Sequence, residues 1–274
     1  MPKGPNYDLD YNYHSHTWRC GHATGTDEAY VKSAIANGFK IYGFSDHVIL
    51  PNASQPGMRG DSILLDGYIN SVRELALKYR DQIMIHLGFE AEWYGDLYRK
   101  YYHDLLAEHR IDYLILGQHD FIEGHRFHWY ASVDDKDDAL DRYVKDLTEG
   151  MRSGLFTYVA HPDHFMSYYP RWDDHAIKAA ETICQVALEM DLPLEVNMGP
   201  SRWGRKNAPG EEIRVAYPFP QFWDVVARYG CKVILGVDDH DPSELTNSPY
   251  DWVFAFIKNH HLNYISRVCF PVIS

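Results

Sequence analysis

Seven times along this chain a short apolar run, rich in Ile, Val, Leu, Phe or Tyr, gives way to a polar loop and then to helical spacing. The runs fall at residues 7–14, 39–45, 82–90, 111–118, 156–160, 192–197 and 232–237, each short enough for a strand. Strand–helix alternation sustained over 274 residues calls for a parallel sheet with helices packed outside it. Two architectures satisfy that pattern, a β/α barrel or an open doubly wound sheet. The chain lacks both the GxGxxG fingerprint and the P-loop, which disfavours the nucleotide-binding open sheet. Helices are expected over 26–37, 66–80, 137–152, 173–190 and 219–229. Thr24 and Asp27 suggest a capping box for the first, and Asp66 an N-cap for the second. With no linker rich in Gly, Pro or Ser, residues 1–274 read as one domain.

The strand ends carry the chemistry. His14 and His16 close the first run, and side chains two apart on a strand share a face. His47 follows the second run, Glu90 ends the third, His119 the fourth and His161 the fifth, while Asp238 and His240 end the seventh. Six of the seven runs thus deliver an imidazole or carboxylate at the C-terminal end, where β/α enzymes hold their reacting groups. Any one such histidine is as readily a packed core residue as a ligand. Six coincidences of the same kind are not. His86, His103, His109, His175, His260 and His261 fall elsewhere and read as packing or surface residues.

Imidazole and carboxylate donors without thiolate suit Zn, Mn or Fe, and the donors outnumber what one ion can take. Two or three ions are implied. Adjacent ions can hold a bridging hydroxide and neutralise phosphate oxygens during in-line displacement. Three divalent ions, about +6 in charge, would meet only two ligand carboxylates, Glu90 and Asp238, leaving a site positive enough for an anion. That matters because the whole chain is acidic, with 26 basic against 39 acidic residues and a net charge of −13. Such a surface argues against nucleic acid as a partner. The four cysteines form no CxxC pair, no window is long and apolar enough for a membrane span, and residues 1–16 lack a signal-peptide core. A cytoplasmic protein with no membrane partner is expected; nothing in the pattern specifies an oligomeric state.

HSH at 14–16, SDH at 45–47, GFE at 88–90, His119, AHPD at 160–163 and DDH at 238–240 resemble, in order, the elements of the PHP (polymerase and histidinol phosphatase) superfamily. The resemblance spans nearly the whole chain and implies a distorted (β/α)7 barrel, TIM-barrel-like, with a trinuclear metal centre. It implies one ion on His14, His16, Glu90 and Asp238, a second on Glu90, His119 and His161, and a third on His22, His47 and His240. His22 enters only through this resemblance, since RCGHATG otherwise reads as a loop. Within the superfamily, the length and the LEVN element at 194–197 look most like the L-histidinol-phosphate phosphatases of histidine biosynthesis, in which a basic residue after that element meets the phosphate. Here MGPSRWGRK offers Arg202, Arg205 and Lys206; Arg59 and Arg171 are further candidates, and the planar fork of arginine suits phosphate. The loop GQHDFIEGHRFHWY, with His125 and His128, and Asp239 between Asp238 and His240 depart from the family pattern.

The expected activity is therefore that of a phosphomonoesterase acting on a small phosphorylated substrate. Asp238 or His240 would supply the leaving-group proton, Asn197 would contact substrate or bound water, and Asp46 and Asp163 would orient ligand imidazoles. A nucleotide or other small phosphate ester is the alternative substrate, and a non-catalytic metal-binding barrel the alternative class. An exonuclease would want a basic stripe, and a serine hydrolase a GxSxG elbow; neither is present.

Overall fold

The computed structural model describes residues 9–124, 126–203 and 216–273. Its strands are β1 (Tyr11–Asn12), β2 (Ile41–Phe44), β3 (Met84–Ala91), β4 (Tyr113–Leu116), β5 (Asp120–Glu123), β6 (Arg126–Trp129), β7 (Leu194–Asn197), β8 (Lys232–Gly236) and β9 (Asn263–Tyr264). Between and after them lie α1 (Asp27–Ala36), α2 (Leu65–Lys78), α3 (Asp96–Ala107), α4 (Lys136–Arg152), α5 (Asp174–Glu189), α6 (Gly199–Trp203), α7 (Pro220–Tyr229), α8 (Glu244–Asn247) and α9 (Tyr250–Asn259).

Strands β1 to β4 pair in parallel, in order. The segment around Val159 forms the next stave, bridging Leu116 on one side and Leu194 on the other, and β7 then pairs with β8. The ring closes where Ser15 meets Asp239, through His16 N–H to Asp239 O (2.9 Å) and Asp238 N–H to His14 O (3.0 Å). These seven staves coincide with the seven apolar runs, giving the distorted barrel. The distortion is a fork: the lower end of β8, at Lys232 and Val233, pairs with β9 instead of β1. Side chains seal the gap this leaves. Asn12 Oδ1 accepts from Val237 N, Tyr11 Oη from Leu235 N, and Asp239 accepts from Asn12 Nδ2 (2.7 Å) and Tyr42 (2.6 Å). The extra acid of DDH is therefore a fully buried seam residue.

The helices follow local rules. Pro220 opens α7 and Gly230, at φ 71°, stops it. In α5, Ala176, Ala179, Ala180, Ile183, Val186 and Ala187 repeat at three and four residues and bury against the barrel. Two capping expectations are corrected. Thr26, not Thr24, caps α1, accepting from Ala29 N, while Thr24 donates to Asp241. A 3-10 turn at Ser62–Leu64 leads into α2, so Asp66 lies inside the first turn. The chain also contains α3, α9 and the antiparallel β5–β6 hairpin, none of them expected from the sequence. Among the described residues, no helix is long and apolar enough to cross a membrane.

Candidate metal centre

The C-terminal strand ends converge on Glu90. Its Oε1 lies 2.7 Å from His161 Nε2 and 3.5 Å from His119 Nε2; its Oε2 lies 3.2 Å from His47 Nδ1 and 3.5 Å from both His14 Nε2 and His16 Nε2. Asp238 Oδ1 completes the first corner, 3.1 Å from His16 Nε2 and 3.6 Å from His14 Nε2, and those two imidazole nitrogens face each other at 3.2 Å. Donors about 2.1 Å from a shared ion lie roughly 3.0–3.4 Å from one another. The spacing therefore fits a divalent cation. Ligand atoms group as His14, His16 and Asp238; His14, Glu90 and His161; His47, Glu90 and His119; and His16, His47 and His240. His22, on the loop after β1, brings its ring centroid to 4.8 Å from that of His240 and 5.3 Å from that of His47. The bidentate pair of buried Arg19 with Asp27, both contacts 2.9 Å, holds that loop against α1.

Two features of the strands are explained by this crowding. A Cβ on Gly117 would run into the Glu90 carboxylate, and one on Gly236 into that of Glu195, so neither position admits a side chain. His161 and Asp238 adopt φ of 29° and 55°, left-handed values that cost non-glycine residues of order 1–3 kcal/mol and persist where the surroundings fix them.

Carboxylates behind the donors set their orientation. Glu195 Oε1 accepts from His14 Nδ1 (2.8 Å), fixing Nε2 toward the cluster, and its Oε2 accepts from His161 N and from Asn197 Nδ2. Glu92 Oε1 does the same for His119 Nδ1 (2.9 Å). Sequence reasoning missed both. The signal was present as spacing: Glu92 lies two residues after Glu90, and Glu195 two before Asn197. Asp46 approaches His16 Nδ1 only to 3.6 Å and instead bonds Thr17 and His47 N. Among the described residues Asp163 bonds no imidazole; its Oδ2 accepts from Phe219 N (2.6 Å) and Trp223 Nε1 (2.9 Å).

The arginine candidates fare differently. Arg59 does not reach the cavity: its guanidinium is enclosed, 3.0 Å from Glu92 and 3.7 Å from Asp120, and it donates to Tyr94. Arg171 is exposed and paired with Asp137 and Asp173. Arg202 donates to the Val237 and Asp238 carbonyls and pairs with Glu244 at 3.2 Å, clamping the loop that carries Asp238. Asn197 is buried, its Oδ1 accepting from Gly199 N. Arg205, Lys206 and His125 lie outside the described residues; His128 stacks on Phe121.

Charge in the metal-free cluster is shared unequally. Burial opposes protonation of His16, but Asp238 and Asp46 beside the ring and the charge of Glu90 raise its pKa to about 9. Burial and the positive charge of His16 then push His240 down to about 3. Burial works against ionised Glu90 too, yet His119, His14 and His47 hold it well below the usual carboxylate range. Below pH 9, then, these imidazoles hold protons that a binding cation must displace. Metal affinity is expected to rise with pH up to about 9, with roughly one proton or more released per chain. Calorimetric titration of metal in buffers of different ionisation heat checks this; heats independent of buffer would contradict it.

The cluster floors a cavity of about 260 Å³. Comparison with known proteins places the chain in a family. A Deinococcus radiodurans protein named "Probable histidinol-phosphatase" is 28% identical over 237 residues, 85% of this chain and 86% of its own length. A Schizosaccharomyces pombe protein of the same name is 21% identical over 250 residues, covering 85% and 81%. The structure of histidinol phosphate phosphatase from Lactococcus lactis, complexed with Zn, L-histidinol and phosphate, superposes with a TM-score of 0.67 at 18% identity, covering 93% of this chain and 95% of that one. The PHP domain model matches residues 12–199, a span that holds the HSH, SDH, GFE and AHPD elements and their converging side chains, and the chain belongs to the PHP domain family.

Proposed function

We propose that this protein is a metal-dependent phosphomonoesterase that hydrolyses L-histidinol phosphate to L-histidinol and phosphate. The observation that carries the reading is the gathering of imidazoles and carboxylates from six strand ends around Glu90, in groups whose ligand atoms lie within 4.8 Å of one another. The names of the curated relatives, and the zinc, L-histidinol and phosphate of the Lactococcus lactis structure, support the substrate. Three ions, Zn, Mn or Fe, are assigned to His14, His16, Glu90 and Asp238; to Glu90, His119 and His161; and to His22, His47 and His240. Bound there, divalent ions supply water activation and neutralise phosphate charge.

The residues do the rest. Glu195 and Glu92 fix the tautomers of His14 and His119, leaving Nε2 of each facing the cluster. Arg202 holds the Asp238 loop in its strained backbone through two carbonyls. Asp238 and His240 border the cavity from the end of β8; either can carry a proton to the leaving oxygen only when it is not committed as a ligand, and His240, pushed down to about 3, is neutral near pH 7. Met58 and Trp129 give one wall an apolar face, and Trp129 is 46% exposed although it lines a polar site. An indole so placed suits stacking on a planar leaving group, worth about 0.5–1.5 kcal/mol. Trp129→Ala is expected to raise KM for histidinol phosphate up to about tenfold, and to leave an alkyl phosphate unchanged. Equal KM effects on both esters would remove Trp129 from substrate recognition.

The test of the function is phosphate release by Mn- or Zn-loaded protein from L-histidinol phosphate beside nucleotides and sugar phosphates. Strong preference for histidinol phosphate is the expected result. Turnover of another member alone would keep the metal chemistry and discard this leaving group; no turnover with metal bound would discard the phosphatase.

A further inference from the structure

Apart from the candidate ligands, the described residues lining the cavity are Gly57, Met58, Trp129 and Tyr217. No lysine or arginine is among them. A phosphate ester entering here would meet any cations those ligands hold, but also the charges of Glu90 and Asp238, and would need neutral donors for oxygens left uncovered. Tyr217 is placed to be one. Its ring centroid lies 5.6 Å from that of His161 and 5.4 Å from that of His164, and its hydroxyl has no hydrogen-bond partner among the described residues.

Position and rigidity come from the loop that also delivers His161. Asp163, two residues on, anchors Phe219 N and Trp223 Nε1, so the start of α7 is tied directly behind the ligand. This accounts for an acid whose expected contact with an imidazole is absent. A tether at 2.6 Å on Phe219 leaves Tyr217, two residues upstream, little freedom to leave the cavity wall.

We infer that the Tyr217 hydroxyl donates a hydrogen bond to a non-bridging oxygen of the substrate phosphate, as a substrate contact distinct from the metal ligands. The inference rests on the phosphate-ester reading above but not on histidinol as the leaving group. It assigns Asp163 as the positioning residue behind Tyr217.

The test uses metal-loaded protein carrying Tyr217→Phe, which removes only the hydroxyl. Metal content and Tm should match the parent. Affinity for inorganic phosphate, measured by calorimetry and as competitive inhibition, should fall roughly tenfold, the loss of one hydrogen bond to a charged group. The kcat/KM should fall about 10- to 100-fold, by the same factor for histidinol phosphate and p-nitrophenyl phosphate, because the contact is to the group they share. Tyr217→His, which returns a donor, should recover part of the phosphate affinity. Phosphate affinity within twofold of the parent overturns the inference. So does loss of metal in Tyr217→Phe that Tyr217→His does not reverse, which would make the hydroxyl structural. If the parent hydrolyses p-nitrophenyl phosphate but not histidinol phosphate, the assignment of substrate fails while the Tyr217 comparison still stands.

Discussion

Glu90→Gln is expected to lower turnover on the order of 10³-fold or more and to leave at least one fewer ion bound per chain. Five imidazoles lie within 3.5 Å of its two oxygens. The amide keeps the shape, so packing against Gly117 survives, but it removes the negative charge that two proposed ions share. It also turns one oxygen into a donor aimed at imidazole nitrogens, which cannot then ligate. Metal analysis by mass spectrometry beside steady-state kinetics reads both effects. Full metal content with turnover within tenfold of the parent would show that Glu90 is not the hub.

The largest loss of stability is expected from Arg59→Ala, about 3–5 kcal/mol near neutral pH. Arg59 is sealed between Glu92 and Asp120, with Phe127 under its guanidinium. Burial already pushes Asp120 up to about 6, with the charge of Glu92 adding to the shift and Arg59 opposing it. Without the arginine both carboxylates move higher. Asp120, already raised, moves further above its unfolded value, so at this group the variant binds a proton on folding and loses stability as pH rises. The deficit relative to the parent should grow as pH rises from 5 to 8, as read by urea midpoints. A deficit constant over that range would mean that the charges are not the cause. Because Glu92 also orients His119, loss of the arginine should weaken metal binding in the same variant.

How much of this was readable beforehand depended on what each residue had to announce itself. His14, His16, His47, Glu90, His119, His161, Asp238 and His240 sit at ends of apolar runs, and strand geometry alone sends them to one pole. His22 sits on a loop with no periodicity, and its approach to His240 depends on Arg19 and Asp27 folding that loop back. The β5–β6 hairpin escaped notice because its turn lacks an Asn-Gly or Asp-Gly pair and its strands carry charge, so Trp129 looked like one aromatic among many. Arg59 stood in a loop of Gly and Asp that reads as solvated; the acids that bury it come from the residue after β3 and from β5, distances that no local pattern encodes. The same holds for Asp163, whose partners lie 56 and 60 residues away.

The closing seam bears on how such a protein is made. Seven of the nine proposed ligands lie in the first 161 residues, but the ring cannot close until Asp239 has left the ribosome to meet Ser15. At ordinary synthesis rates the intervening 78 or so residues take about 4–16 s. If the proposed ligands act as assigned, an incomplete set of imidazoles and Glu90 would rank ions by raw affinity, with copper ahead of zinc, iron and manganese. Only the last strand, bringing Asp238 and His240, imposes a geometry. On the ligand assignment proposed above, the order of strands would leave the geometry that selects among ions to the last-made part of the barrel.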